Sequence, residues 1–182
     1  MYKRQEVRRA FAAEGGLPVA SLGDQAAGSD VLFIVVVNAQ QTEALLFGEQ
    51  GIAARLRPGT VVVACATIAA DAARRIAKRL AEHQVAMLDA PISGGAVRAA
   101  AGELTIMASG PAAAFQQCEA ALAAVAAKVY RLGDEAGQGS QIKLVNQLLA
   151  GVHIAAAAEA MAYGIRQGCD PKALYELSLI HI

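Results

Sequence analysis

The sequence predicts an α/β fold, a mainly parallel sheet followed by an all-helical second domain. Three observations carry this. Short apolar runs, the β-branched Asp30-Val-Leu-Phe-Ile-Val-Val-Val37, then Thr60–Cys65 and Val85–Asp89, lack polar alternation and are bounded by Gly, Pro or Asn, the mark of strands covered on both faces. Stretches of helical periodicity separate them through short connections, as in parallel βαβ units. From Ala136 onward the strand-like runs stop and helix-forming residues take over. The expected boundary lies near Gly133–Gly137, dividing the chain into domains 1–134 and 135–182.

In chain order, Glu6–Glu14 reads as an amphipathic helix with Val7, Ala10 and Phe11 on one side, stopped by Gly15-Gly16. Pro18–Ala20 is a brief extended piece and Leu22–Ala27 a helical turn. The strand Val31–Val37 comes next, then helix at Gln41–Phe47 and a helical turn at Ile52–Leu56. Pro58-Gly59 turns the chain into the strand Thr60–Cys65. Asp71–Glu82 is a helix with Ala72, Ile76 and Leu80 inward and Arg74, Arg75, Lys78 and Arg79 in solvent. Val85–Asp89 is a strand, a Gly-rich loop follows, and Glu103–Ala108 is the next strand. Pro111–Ala127 is an Ala-rich helix leading to the strand Lys128–Leu132.

Composition narrows the function classes. The 182 residues carry 16 basic and 16 acidic side chains, so no electrostatic attraction to nucleic acid or an anionic membrane is expected. Cys65, Cys118 and Cys169 are odd in number and lack metal-ligand or disulfide spacing. They indicate a reducing compartment and no metal site, each cysteine filling apolar core. The opening Met1-Tyr-Lys-Arg-Gln-Glu has no apolar core of a targeting segment, and the strongly apolar run Val31–Val37 is too short to cross a bilayer. A soluble, cytoplasmic protein is expected.

The polar trio Lys143, Asn146 and Gln147 stands out in a helix that otherwise reads as enclosed on all sides. Residues four apart on a helix differ by only ~40° in direction, so Lys143 and Gln147 share a face that Asn146 flanks. A lysine there either snorkels to the surface or lines a cleft, where desolvation lowers its pKa. Asp89-Ala-Pro-Ile-Ser93-Gly94-Gly95 follows a strand. It is either a tight turn or a carboxylate cradle built from backbone N–H groups and a hydroxyl. Thr67 closes another strand and on its own reads as a helix N-cap. Gly137-Gln-Gly139 is not a dinucleotide fingerprint, because the sixth position is Ile142 and no βαβ unit follows. His153 and Glu159, on the same helix, read as a hydrogen-bonded structural pair or an interface contact.

Taken together, DAPISGG, Gly102-Glu-Leu-Thr-Ile-Met107 and the GxGxxxKxxNQ run from Gly137 to Gln147 closely resemble the β-hydroxyacid dehydrogenase family. That family includes 3-hydroxyisobutyrate dehydrogenase, tartronate semialdehyde reductase and L-threonate dehydrogenase, and the likeness runs from about Val7 to Tyr175. The resemblance implies a truncated Rossmann-like NAD-binding domain, with NADP as the alternative cofactor, and a helical domain through which homodimers or homotetramers form. It implies that Lys143 is the catalytic residue. Ser93, Gly94, Gly95, Asn146 and Gln147 would bind a small hydroxy-acid substrate, and Val36, Val37, Asn38 and Thr67 would contact the cofactor. Val36-Val37 stands where members often have Leu-Pro. Gln147 stands where members usually have Asn, a departure shared with the L-threonate dehydrogenase branch. Imine reductases share the architecture but usually lack the lysine. The family's first strand, Gly-rich turn and helix have no counterpart here, and Leu177–Ile182 matches no family pattern, so both ends read as fragment boundaries. The alternative reading is a catalytically incompetent piece acting as a helical interaction module.

Overall fold

The computed structural model describes residues 2–19 and 21–178, with side chains from residue 5 onward. Ala20 of the expected extended piece and residues 179–182 of the C-terminal stretch lie outside the described residues. Strands β1 (Val31–Ile34), β2 (Val61–Ala64) and β3 (Ala86–Asp89) form one parallel sheet in that order. Strands β4 (Ile92–Ser93), β5 (Leu104–Ala108) and β6 (Ala126–Arg131) form a second, with β4 antiparallel and β6 parallel to β5. An isolated antiparallel bridge joins the two sheets at Asp89 and Ser109, whose N–H groups donate to each other's carbonyls at 2.9 Å. A helical region follows the sheets, so the α/β class expected from the sequence holds.

Strand β2 shows why its residues are apolar throughout. Val62 and Ala64 enter a core shared with Ile34, Leu46, Ile76 and Leu80. Val61 and Val63 point the other way, into a core with Leu88, Ile106, Phe115 and Leu122. Side chains alternate across a strand, so both faces must be covered by helices: α2 (Leu22–Ala27), α3 (Ala39–Phe47) and α4 (Ala70–Ala81) on one, α6 (Ala112–Val125) on the other. Fully burying one such valine contributes about 1.5–3 kcal/mol. Helix α4 keeps Ala72, Ala73, Ile76 and Leu80 buried and its arginines outward, as its periodicity predicts. The Arg79 guanidinium lies 3.8 Å over the Phe47 ring and stitches α4 to α3.

Several elements differ from the sequence reading, each for a local reason. Strand β1 stops at Ile34, whose partner Ala64 is the last residue of β2. Beyond it Val35 and Val37 are 67% and 76% exposed. The turn at Ile52–Leu56 is a short 3-10 helix at Ala53–Arg55. The Gly-rich loop expected after Asp89 holds strand β4 and helix α5 (Gly95–Ala100), because positive-φ glycines at 94 and 95 turn the chain into the helix-forming run Ala-Val-Arg-Ala-Ala. Helix α1 (Tyr2–Ala13) forms, but its Val7 and Phe11 are exposed and lie outside both cores. Cys65 and Cys118 are buried as expected, whereas Cys169 is exposed in the turn after Gly168.

The largest correction concerns helix α7 (Gln138–Arg166), 29 residues long. It is not enclosed: Leu148, Val152 and Ile154 are exposed along it. After its first turns it runs past the sheet edge, and α8 (Pro171–Leu177) returns only to its far end, where Leu174 packs on Gly164. The most apolar 18-residue window of α7 has a mean hydropathy of 1.5, long and apolar enough by length and composition to cross a membrane. The estimate of apolar length from Val31–Val37 missed this helix because small alanines dilute its character.

Ile76, fully buried, should lose about 2–5 kcal/mol on replacement by Ala. Val35→Ala, past the end of β1, should stay within about 0.5 kcal/mol of the parent. Urea midpoints measure both.

Candidate functional site

The parallel register brings distant segments to one edge. Ile34 pairs with Ala64, and Ala64 with Asp89, so the carboxyl ends of β1, β2 and β3 lie in a row. From that row emerge Val36-Val37-Asn38, Thr67, and the Ala90–Gly95 turn, the place where open α/β sheets receive ligands. Val36 is half-buried on the first core, and Val37 is exposed with its N–H donating to Gln41 Oε1 at 2.9 Å. Asn38 caps α3, its Oδ1 accepting the Gln41 N–H at 2.9 Å. Thr67 is exposed and caps nothing: α4 begins after Ala69, with no side-chain cap bond.

On the next segment Ser93 pairs with Thr105 of β5, and Gly94 and Gly95 follow with φ of 135° and 67°. Any other residue at these two positions would be strained. A Cβ on Gly94 would also sit 2.9 Å from the Arg98 Cβ.

Asp89 anchors the other wall. It is 1% exposed, and its carboxylate accepts from the Gly137 N–H (2.9 Å), the Ser140 N–H (2.8 Å) and the Ser140 hydroxyl (2.6 Å). Ser109 Oγ accepts the Gly139 N–H at 2.9 Å. These groups take up N–H donors that a helix start leaves unpaired, and Gly137 has no side chain to do so itself. Gly139 presses the helix backbone onto the strand ends: a Cβ there would collide with the Met107 carbonyl and lie 2.6 Å from that of Asp89.

Lys143, one turn further on, shares the Gly139 face. It is only 5% exposed, while residues 141, 142 and 144–150 are all exposed. It is the last residue of α7 that the sheets cover before the helix leaves them. No hydrogen bond or ion pair to another described residue engages its amine, and burial pushes its pKa down from the ordinary 10.5. Ser93 of β4 and Asn146 of α7 line one cavity of about 390 Å³ together with Ile142, Met107, Thr105, Tyr130 and Leu132. Lys143 and Gln147 lie on the adjoining helix face, with Gln147 exposed. The structure thus brings Ser93 and Asn146 to one cavity, with Gly94 and Gly95 directly following Ser93 in the chain and Lys143 next to Ile142 of the lining. Val36, Val37, Asn38 and Thr67 sit along the same row of strand ends. His153 and Glu159 are not hydrogen-bonded to each other; both are exposed, and His153 lines an apolar groove between α7 and α8. Asp89, Ser109 and Ser140 were not singled out from the sequence. The available signal was an acidic residue ending a buried apolar run, which cannot be sequestered without donors.

Residues 1–133 match the family model described as the NAD binding domain of 6-phosphogluconate dehydrogenase. Residues 137–178 match that of the NAD-binding of NADP-dependent 3-hydroxyisobutyrate dehydrogenase. The chain is 57% identical over 174 residues to L-threonate dehydrogenase of Cupriavidus necator, covering 96% of this chain and 59% of the relative. It is 53% identical over 148 residues to the L-threonate dehydrogenase of Escherichia coli K12, covering 81% and 49%. Its fold matches a crystal structure of 3-hydroxyisobutyrate dehydrogenase from Salmonella typhimurium with a TM-score of 0.87 at 46% identity, covering 94% of this chain and 60% of that one. The chain therefore spans about half to 60% of the length of these relatives.

The lowered pKa of Lys143 has a consequence for stability. Between that value and 10.5 the unfolded chain binds a proton the folded chain does not, so stability rises with pH through this window. Cys65 and Cys118 act oppositely. Burial raises their thiols from 9.0 to about 12 and about 11, so stability falls once pH passes 9.0. Lys143→Met should remove the rise contributed in the window that ends at 10.5 and leave the cysteine-driven fall beyond 9.0, so that the variant loses stability relative to the parent as pH rises toward 10.5, read from urea midpoints across pH.

Proposed function

Since the chain belongs to the β-hydroxyacid dehydrogenase family, we propose that it carries the lysine-bearing part of an enzyme transferring hydride between NAD(P) and a small hydroxy acid, L-threonate foremost. The observation that carries this reading is the buried amine of Lys143, unpaired among the described residues, on the helix whose Ile142 and Asn146 line one cavity with Ser93. The L-threonate dehydrogenases at 49–57% identity support the substrate class. Tartronate semialdehyde and 3-hydroxyisobutyrate are the alternative substrates.

The chemistry follows from these residues. A bound nicotinamide supplies the hydride acceptor or donor. As the carbinol becomes a carbonyl, its hydroxyl proton passes to Lys143 Nζ, which desolvation makes easier to hold unprotonated; in reduction the same amine returns it. The Ser93 hydroxyl and the N–H groups of Gly94 and Gly95 hold the substrate carboxylate. Asn146, in the cavity with Ser93, and Gln147 hold hydroxyls near the reacting carbon. At the cofactor, Val36 offers an apolar half-buried wall, and Val37, Asn38 and Thr67 offer surface beside it. These residues fit the nicotinamide end; the chain contains no Gly-x-Gly-x-x-Gly turn for the pyrophosphate, and no step is assigned to that end.

The wider assignments belong to the same proposal. Residues 1–134 form the NAD(P)-binding domain and 135–182 begin the helical domain, a division supported by the two family-model matches. The apolar faces of α7 pack on protein in a homodimer or homotetramer rather than in a bilayer, and the enzyme works in the cytoplasm without nucleic acid.

The decisive experiment replaces the matching segment of the Cupriavidus necator relative with this chain. The chimera is assayed with L-threonate, D-glycerate and 3-hydroxyisobutyrate, each with NAD and NADP. Turnover of L-threonate is expected; a folded, cofactor-binding chimera that turns over none of them overturns the proposal. Lys143→Ala should lower kcat about 10²–10⁴-fold with the Kd for NAD unchanged. Gln147→Asn should shift kcat/KM from L-threonate toward 3-hydroxyisobutyrate by about tenfold or more.

A further inference from the structure

We propose that Asp89 is the positioning residue of the site: its carboxylate pins the first turn of α7 to the strand ends and so sets Lys143 in place against the Ser93 turn. The inference rests on the acid–base reading of Lys143 for its functional meaning, while its geometry stands by itself.

Asp89 is the last residue of β3, four positions before Ser93. Its backbone is locked on the Ser109 side by the paired 2.9 Å bonds, and the next residue, Ala90, donates to the Ala64 carbonyl at 2.9 Å. The turn leading to Ser93 therefore leaves a fixed point. From that same residue the side chain reaches α7 and takes three donors from Gly137 and Ser140. One residue thus ties the serine-diglycine turn to the lysine helix, with its backbone holding one and its carboxylate the other. The Ser109 hydroxyl, on Gly139, supports the same turn from the other partner of the bridge.

The chain of position is short. Ser140 and Lys143 are three residues apart, so both lie within one turn of the anchored donors. Gly139 lets the backbone descend onto the Asp89 and Met107 carbonyls, and Lys143 follows on the same face. With the carboxylate removed, three donors at the buried helix start lose their acceptor, and unpaired buried donors draw in water or pull the turn away. The lysine then moves out of its covered position, because the next residues of α7 have nothing over them. Asparagine keeps an acceptor for the two N–H groups and can donate its amide to the Ser140 hydroxyl, so it should preserve the arrangement. The other charged groups at this helix start include Arg74 and Asp71 of α4, paired with each other at 2.6 Å, and the exposed Asp134 and Glu135 that lead into α7. A Cβ on Gly137 would lie 3.0 Å from the Arg74 Nε. Strand β5 contributes no ionisable side chain.

The test titrates Lys143 by NMR of isotope-labelled lysine ε-carbons in the full chain, its signal assigned by loss in Lys143→Arg. In Asp89→Ala the Lys143 midpoint should rise toward the ordinary 10.5. The exposed Lys172 should stay unmoved and the buried Cys118 thiol unreactive, which shows the sheets intact. Asp89→Asn should restore a midpoint near that of the parent. If Asp89→Ala does not fold, Gly139→Ala displaces the same turn while leaving the carboxylate, and the same rise is expected. A Lys143 midpoint that is lowered in the parent and unchanged in the folded variants overturns the positioning role and leaves the acid–base reading standing. A parent Lys143 that titrates at the ordinary 10.5 overturns both.

Discussion

The buried carboxylate of Asp89 meeting the open donors of α7 is the interaction on which the arrangement of the site depends. A helix start buried against a sheet is costly unless something accepts its N–H groups. Here the acceptors come from strand ends and from no residue of the helix itself. Glycine at 139 is the complementary condition, because the backbone must come close enough for those bonds to form. The two requirements reinforce each other: contact without acceptors would strand the donors, and acceptors without glycine would be out of reach.

The parallel sheet does the remaining work of assembly. Its register places Ile34, Ala64 and Asp89 in a row, so segments far apart in the chain deliver their following residues to one edge. Cores on both faces hold the row still. The strands are short and almost wholly apolar because neither face is free, and the polar chemistry is pushed to their ends. At those ends the Asp89–Ser109 bridge also fastens the second sheet to the first.

Much of this was readable from the residues alone. Strand β2, helix α4 with its inward Ile76 and Leu80, and the switch to helix after Ala136 followed from periodicity and turn residues. Lys143 announced itself as a cation among small apolar neighbours, and Ser93-Gly94-Gly95 as a turn with donors. What stayed hidden depends on contacts between distant segments. Nothing near Asp89 in sequence says that its carboxylate meets Gly137 and Ser140, because those partners lie about 50 residues away. The end of β1 at Ile34 is decided by where β2 runs out, which the run of valines cannot express. The exposure of α7 was misread because an all-round apolar helix specifies that it must be covered, but not by what.

Helix α7 has one more consequence. It is held at one end and unsupported by the sheets over most of its 29 residues, a rigid rod of roughly 44 Å at 1.5 Å per residue. Such a rod is a lever arm with its fulcrum at the strand ends. A swing of about 5° there carries the far tip roughly 4 Å sideways, nearly the spacing of two strands. The angular accuracy of a few hydrogen bonds around one aspartate thus decides where the distant end lies, at which α8 folds back.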